Sequence, residues 1–343
     1  MKKFYAVIGN PPYQEETEGT SDNPIYHLFM DEAYKVGENV ELITPARFLF
    51  NAGKTPNAWN RKMLNDPHLK VLFYDSDPKF FQNVELKGGV AITNHNMTRN
   101  YGPIGLFVQD MEMNSILHKV NALCEKHLDA IGCSQNSFKF TELLYKDHPE
   151  LEGSQSKGHR LDLKSNVFEK MSPIFFEEKP DSLIPYDRVL GRLGNRRVYR
   201  YVKRGYICNN SMSSNLDGFK IALPKASGVG KFGESLSEIV VVPPRVGMTE
   251  TFISFGNFPN PVEAENLAKY IKTKFARAML GVLKITQDNT VAKYAQVPLQ
   301  DFSDDSDIDW SQSISGIGKQ LYQKYDLALD EIEFIESHVK EMD

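Results

Sequence analysis

The stretch Asn10-Pro11-Pro12-Tyr13 constrains the fold of this chain more than any other. It follows an apolar run, Phe4–Gly9, whose composition predicts a short buried strand. Two prolines cannot continue a strand, so the chain must turn at the carboxyl end of that strand. In a parallel α/β sheet this is the end where ligands bind. The sequence therefore predicts a stiff, ligand-facing loop directly after the first strand.

This loop is rich in hydrogen-bond acceptors. Asn10 offers a side-chain carbonyl beside the backbone carbonyl of Pro11, and proline contributes no N–H. Two neighbouring acceptors suit an exocyclic amine, which has two hydrogens to donate. Tyr13 can stack on the flat group that carries the amine. The alternative interpretation is an ordinary strand-ending turn with a packed tyrosine.

Helices and strands alternate after this loop. The apolar spacing predicts helices at residues 24–36 and 57–64, and strands at residues 40–44, 68–74 and 88–93. Such alternation implies a mostly parallel sheet with both faces covered.

The pattern changes after residue 100. A helix is predicted at residues 109–127, and polar residues 145–166 suggest an exposed loop. Short β-like runs then indicate an irregular β-rich domain, at residues 197–202, 219–223, 239–242 and 251–255. Asn260 and Pro261 are placed to start a long helix, and a final helix is predicted at residues 328–342.

Composition is that of a soluble globular protein. The chain has 343 residues, enough for two domains, with 41% hydrophobic and 25% charged residues. No apolar run approaches the ~18 residues that span a bilayer, and Met1-Lys2-Lys3 leads straight into a strand without a signal peptide. The 3 cysteines show no metal spacing, which fits reduced thiols in the cytoplasm and no metal site.

Charge is unevenly distributed along the chain. The net charge is −5, and residues 301–343 alone contribute −9, so the rest carries about +4. An acid-free window lies at residues 188–204, where arginines can pair with phosphates or guanine and tyrosines can stack. The candidate DNA contacts in this window are Arg188, Arg192, Arg196, Arg197, Tyr199, Arg200, Lys203 and Arg204. A solvated basic surface is the alternative. Gln287 and Asn289, in polar residues 286–290, either face DNA or form a cap and turn.

Asn-Pro-Pro-Tyr after an apolar strand resembles the catalytic motif of amino-methyltransferases that use S-adenosylmethionine. The chain is most similar to adenine methylases of the Eco57I restriction–modification group. Further similar segments follow in order, at residues 44–48, 77–90, 297–302 and 321–325. Phe81 stands where the family has a phenylalanine that packs on the extruded base, although a Phe-Phe pair before a strand also fits core packing.

The resemblance implies an α/β fold, with a partial Rossmann-like methyltransferase sheet followed by an α+β target-recognition domain. Its expected domains are residues 1–105 (catalytic half), 106–302 (recognition) and 303–343 (acidic helical tail). The implied activity is site-specific methylation of adenine N6 in double-stranded DNA. The implied catalytic residues are Asn10, Pro11, Pro12, Tyr13 and Phe81.

In this family the glycine-rich turn that holds the methyl donor precedes the motif. Only nine residues precede it here, so we expect no cofactor-binding residues within this chain and a second polypeptide or a missing half that supplies them. Glycine-rich residues 228–233 are predicted to face solvent or DNA instead. The alternatives are a non-catalytic DNA-recognition subunit, an inactive remnant and a protein glutamine methyltransferase.

Overall fold

The computed structural model describes residues 3–15, 23–76, 89–209 and 214–342. The chain forms two compact units, Met1–His118 and Lys119–Asp343, which are described separately below. Each unit combines helices with more than one β-sheet. Within the ranges described, no helix has the length and apolar character to cross a membrane.

Unit 1 is built on a four-stranded sheet with the strand order β1-β4-β6-β5. β1 pairs with β4 in parallel, whereas β6 runs antiparallel to both β4 and β5. The prediction of a mostly parallel sheet therefore holds for the direction of three strands and is wrong for β6. Antiparallel neighbours need no crossover helix, so β5 and β6 can pair as consecutive strands. The elements are β1 Phe4–Gly9, β2 Gln14–Glu15, β3 Asn23–Pro24, α1 Tyr26–Val36, β4 Gly37–Pro45, α2 Asn57–Leu64, β5 Leu69–Asp75, β6 Val90–Asn96 and α3 Met111–Leu123, which extends beyond unit 1.

β1 is not the buried strand that its composition predicts. Tyr5 is 80% exposed and Ile8 is 78% exposed. β1 lies at the edge of its sheet, and its outer side pairs with no strand among the described residues. An edge strand lacks one of the neighbours that would cover its side chains, so its apolar residues remain at the surface.

The core of unit 1 lies between the sheet and helices α1 and α2. Met30, Phe48 and Met63 are fully buried in it, and the rings of Phe48 and Trp59 meet edge to face at 5.4 Å between centroids. Helix α1 starts two residues later than predicted, because Asn23–Pro24 pairs as β3 with β2 instead of starting the helix.

The described residues of unit 2 form three small sheets. Their strand orders are β13-β12-β15-β7, β10-β9-β14 and β11-β8, and most neighbours are antiparallel. This is the β-rich region predicted after residue 100. The elements are β7 Gly132–Cys133, β8 Phe138–Phe140, α4 Glu142–Asp147, α5 Val167–Lys170, β9 Tyr186–Leu193, β10 Arg196–Lys203, β11 Ile207–Asn209, β12 Phe219–Pro224, β13 Val240–Val242, β14 Val246–Met248, β15 Phe252–Phe258, α6 Pro261–Lys272, α7 Lys274–Gly281, α8 Ile314–Lys324 and α9 Leu329–His338.

Residues 145–166 are more ordered than the exposed loop predicted from their polarity. Tyr145, Leu151 and Leu163 are buried in the unit 2 core. Gln155 is buried too, and its Nε2 donates to the carbonyl of Asp162 at 3.0 Å. Buried polar side chains can satisfy their hydrogen bonds inside the protein. A segment that contains them therefore looks like an exposed loop when only its polarity is considered.

A fully buried lysine lies on the central strand β12. Among the described residues, Lys220 Nζ has two weak acceptors, the carbonyls of Gly218 at 3.3 Å and Pro243 at 3.5 Å. Burial lowers the pKa of Lys220 to about 7, against smaller opposing effects from Cys133 and Asp217. The neutral amine is therefore strongly populated in the folded protein near neutral pH.

The helices that follow Asn260 form two segments rather than one long helix. Asn260 caps α6 as predicted, since its Oδ1 accepts from the Glu263 N–H at 3.0 Å. The long helix breaks at Thr273, whose hydroxyl donates to the Tyr270 carbonyl and accepts from the Ala276 N–H. Threonine thus ends α6 and caps α7.

Candidate functional site

The Asn10-Pro11-Pro12-Tyr13 loop begins where β1 ends, at the carboxyl end of the sheet. β4 runs parallel to β1 and ends at the same side, at Pro45. The Asn10 side chain is exposed, and Tyr13 is half-buried. The Tyr13 carbonyl accepts from the Ile25 N–H at 3.1 Å, which ties the loop to the start of α1. The chain therefore presents the loop from a fixed position.

Asn10 and Tyr13 interact with each other. Burial raises the pKa of Tyr13, and the nearby Asn10 side chain has a smaller, opposing effect. Tyr13 is therefore protonated at neutral pH. The amide and the ring therefore lie close together, while the two prolines add carbonyls and no N–H to the loop. A planar amine would meet acceptors and an aromatic ring within one short loop.

Phe81 lies outside the described residues, as does most of the surrounding segment, residues 77–88. Its contact with a base therefore stays a prediction. Within the described ranges no cluster of three or more His, Cys, Asp or Glu side chains is arranged to hold a metal ion.

The acid-free window forms the β9–β10 hairpin, and many of its charges are paired within the protein. Arg197 and Arg200 leave opposite faces of β10, as a strand requires, and reach different acids. The acids come from outside the window, which the sequence pattern could not reveal. The pairs are Arg197 with Glu238 at 3.0 Å, Arg200 with Glu177 at 2.5 Å, Lys203 with Asp147 at 2.6 Å and Arg204 with Asp187 at 3.0 Å.

Asp187 is a buried anchor beside this hairpin. Its carboxylate accepts from Arg204 Nε at 3.0 Å and from Arg245 through Nε at 2.9 Å and Nη2 at 2.6 Å. Two guanidinium groups thus compensate one fully buried carboxylate. Arg204 stabilises the base of the hairpin through this ion pair. Part of the positive charge of the window is therefore neutralised within the protein.

Arg188 and Tyr199 contact each other within the hairpin. The Arg188 guanidinium carbon lies 5.3 Å from the centre of the Tyr199 ring. This is the distance of a cation–π contact. Tyr199 is half-buried, and burial raises its pKa. Its ring therefore has a partner already and is not a bare stacking platform.

The tip of the hairpin presents its side chains to solvent. Leu193 pairs with Arg196 across the two-residue turn Gly194-Asn195, and Gly194 has a φ of +59°. Gly at the first central position suits a type II′ turn, which matches strand twist. Arg192 and Arg196 are exposed at this tip and form no ion pair within the described part of the chain. They leave opposite faces of the hairpin, because they belong to neighbouring cross-strand pairs.

Gln287 and Asn289 have different environments. Asn289 is fully buried, donates from Nδ2 to the Pro224 carbonyl at 3.0 Å and accepts from the Tyr294 hydroxyl at 2.9 Å. Its amide holds residues 286–290 in place and does not face solvent. Gln287 is exposed, while its carbonyl accepts from the Ser227 N–H at 2.9 Å.

The glycine-rich residues 228–233 close on a carboxylate. Glu234 accepts from the Val229 N–H at 2.8 Å and the Gly230 N–H at 3.0 Å. These N–H groups are therefore already used, and the segment offers no open nest to the phosphates or carboxylate of a cofactor. Val229 and Lys231 are exposed, whereas the ring of Phe232 packs against that of Phe334.

Comparisons with known proteins support the resemblance at the amino-terminal end. Residues 1–81 match the family model described as Eco57I restriction-modification methylase, which confirms the similarity for this segment. No curated protein matches the chain. Two solved structures align over nearly the whole chain at 9% identity: the type IIG restriction endonuclease BpuSI, with a TM-score of 0.29, and the type IIL restriction-modification enzyme MmeI in complex with DNA, with a TM-score of 0.33. The chain spans about half the length of these enzymes, 54% and 56% respectively.

Proposed function

We propose that this chain carries the base-capturing loop and the target-recognition region of a site-specific DNA adenine-N6 methyltransferase. One observation carries the proposal: the Asn10–Tyr13 loop projects from the carboxyl end of β1, inside the segment that matches the methylase family. The domains proposed are residues 1–105 for base capture and 106–302 for recognition, with 303–343 as an acidic helical tail.

The target adenine must leave the duplex, because its N6 is otherwise paired and stacked. The Asn10 side-chain carbonyl and the Pro11 backbone carbonyl accept hydrogen bonds from the N6 amine. This keeps the nitrogen lone pair directed at the donor and stabilises positive charge as it develops on nitrogen. Tyr13 stacks on one face of the base and Phe81 on the other.

S-adenosylmethionine supplies the methyl group in this proposal. We assign no donor contact to the described residues, because the glycine-rich segment is closed on Glu234. The outer edge of β1, with exposed Tyr5 and Ile8, offers backbone groups and apolar surface to further strands. We propose that the donor-binding part adds to the sheet there, on a second polypeptide or on another part of a longer protein.

The hairpin tip supplies the DNA contact in this proposal. Arg192 and Arg196 lie on opposite faces of a narrow β-ribbon, so each can meet one of the two phosphate backbones that border a groove. Arg197, Arg200 and Arg204 instead support the ribbon through their ion pairs. We leave Asn289 out of the interface because it is buried.

The catalytic role is tested by Asn10→Ala in the complete enzyme, with the donor-binding part present. Loss of an acceptor that stabilises developing charge should reduce methyl transfer by about 100-fold. DNA affinity, measured by fluorescence anisotropy, should stay near the wild-type value, because Asn10 contacts only the extruded base. Asn57→Ala, which removes another exposed asparagine side chain of unit 1 at a position with no assigned role, is the control. Methyl transfer at the wild-type rate by Asn10→Ala would refute the role.

The recognition role is tested by matched pairs of charge removals. Arg192→Ala/Arg196→Ala should flatten the slope of log affinity against log salt by up to about 2. Arg200→Ala/Lys203→Ala removes the same charge from side chains that pair with acids, and should change the slope less. Equal effects of both variants would mean that the tip has no special contact with DNA.

A further inference from the structure

Two loops of unit 2 are joined along their main chains. We call residues 225–231 and 284–289 the paired loops. The Ser227 N–H donates to the Gln287 carbonyl at 2.9 Å, and the Asn289 N–H donates to the Lys225 carbonyl at 2.7 Å. Gly230 has a φ of +88° and packs directly on the Thr286 backbone, since a Cβ there would lie 2.4 Å from Thr286 atoms. The two loops therefore form one structural unit.

A buried ion pair locks the paired loops from inside. Lys284 Nζ bonds to Glu234 Oε1 at 2.5 Å and to the Ser227 carbonyl at 2.7 Å. Glu234 in turn accepts the two N–H groups of the glycine-rich segment, at Val229 and Gly230. This carboxylate and ammonium thus satisfy backbone groups of both loops. The loop conformation is fixed before any partner arrives, so binding would cost little ordering entropy.

The outer surface of the paired loops is apolar at its tip. Val229 is 70% exposed and Ile285 is 72% exposed, one on each loop, and the exposed Gln287 follows. Stiff β-branched side chains on a locked backbone keep apolar surface in water. Neither side chain contributes to the core, so both are available for contact with a binding partner.

Charge around this tip indicates an anionic partner. Lys225, Lys231 and Lys293 lie on or beside the paired loops, and within the described residues none of them forms an ion pair. Asp288 is the exposed acid of the two loops. The balance is positive, which favours a polyanion over an apolar protein surface.

The paired loops are connected to the β9–β10 hairpin. The Ser237 N–H donates to Ser227 Oγ at 2.9 Å, and the next residue, Glu238, pairs with Arg197 of β10 at 3.0 Å. A short chain of contacts thus joins the loops to the hairpin that presents Arg192 and Arg196. The paired loops and the hairpin therefore belong to one connected part of unit 2.

We propose that the paired loops are an apolar wedge that inserts Val229 and Ile285 into a groove of duplex DNA. The flanking lysines contact the phosphates, and Gln287 meets base edges. This inference rests on the proposed function, since it presupposes a DNA-binding unit 2. It adds a second recognition element that carries apolar rather than charged contacts.

The test is anisotropy titration of a labelled duplex with the full chain, over a series of salt concentrations. Val229→Ala/Ile285→Ala should weaken binding about tenfold, through lost apolar burial, and leave the salt slope unchanged. Lys225→Ala/Lys231→Ala/Lys293→Ala should flatten the slope by up to about 3. Leu183→Ala/Leu329→Ala is the matched control, because both leucines are exposed and lie away from the loops in sequence.

The outcomes separate this inference from the proposed function. Wild-type protein that shows no salt-dependent DNA binding would overturn both. Normal binding by the wild type and by Val229→Ala/Ile285→Ala would overturn the wedge alone. Ile285→Glu is a second variant, which places a negative charge at the tip and should weaken binding more than the alanine pair does. Thermal unfolding of each variant checks that these exposed positions leave the fold intact.

Discussion

Strands β1 and β12 are similar in sequence and opposite in environment. Both have six residues, begin with phenylalanine and are largely apolar. β12 lies between β13 and β15 and buries four of its residues, including Lys220. Among the described residues β1 has one neighbouring strand, β4, and Tyr5 and Ile8 are exposed. Neighbours, not composition, therefore decide which apolar strand belongs to the core.

The comparison also separates two uses of apolar surface. On β12 the apolar residues stabilise unit 2, and a lysine is tolerated there by losing its charge. On β1 they contribute little to unit 1 and remain available to another strand. If this is correct, equivalent changes on the two strands must have different consequences.

The largest effect is expected at Lys220. Its pKa is about 7 in the folded protein and 10.5 in the unfolded chain, so the unfolded state binds more protons between these pH values. The free energy of unfolding should therefore rise with pH across that window, by roughly 5 kcal/mol from this group. Lys220→Met should remove that rise and stabilise the protein at pH 7. Urea unfolding at several pH values measures both effects.

The control for Lys220 is the difference between the two proteins at each pH, since other groups that both proteins share also titrate in alkali. Lys220→Met and wild type should differ most at pH 7 or below and converge near pH 10.5. A constant difference across that range would mean that Lys220 stays charged when folded, contrary to the environment described here.

A smaller effect is expected from apolar truncations on the two strands. Ile221→Ala, at a fully buried position of β12, should cost about 3 kcal/mol of unfolding free energy. Ile8→Ala, on β1, should change it by no more than about 0.5 kcal/mol, because its side chain is mostly in water already. Denaturant unfolding, followed by a probe in each unit, compares them. Similar costs at both sites would abolish the distinction between the strands.

The smallest effect on stability is expected from Ile8→Lys. Edge strands with apolar side chains promote pairing between copies, and a lysine on the edge opposes it. We expect an unchanged melting temperature and a lower tendency to self-associate, measured by sedimentation velocity at rising protein concentration. Leu28→Lys, at another exposed leucine of unit 1, is the control. Equal self-association of wild type and Ile8→Lys would argue that β1 does not pair with other copies of the chain.

Local features of the fold were predictable from the sequence. The bounds of β1, the strand at residues 219–223 and the Asn260 cap follow from short-range preferences, and all three occur in the structure. The antiparallel direction of β6 was not predictable, because parallel and antiparallel strands in a covered sheet share the same apolar pattern. The break at Thr273 was missed because the apolar period continues through it.

The site was predictable where it depends on contiguous residues. Asn10 and Tyr13 are neighbours in sequence, so their placement at the end of β1 follows from the prolines between them. The role of the basic window was less accessible, since Arg200 finds its acid 23 residues away and Arg197 finds one 41 residues away. Likewise nothing in the local pattern of Asn289 shows that Pro224 and Tyr294 enclose it.

The Asp187 anchor has a consequence for how unit 2 folds. Its two arginines come from the residue after β10 and from the turn before β14, so the carboxylate gains its second partner only when β14 pairs with β9. Arg245 also has a left-handed φ of +62°, which is an unfavourable backbone conformation. Its hydrogen bonds to Asp187 offset that cost once they form. Until then Arg204 alone compensates the carboxylate as it becomes buried, which disfavours early closure of this sheet. We therefore expect the parallel β9–β14 contact to form late, after the β9–β10 hairpin, and to limit the rate at which unit 2 becomes native.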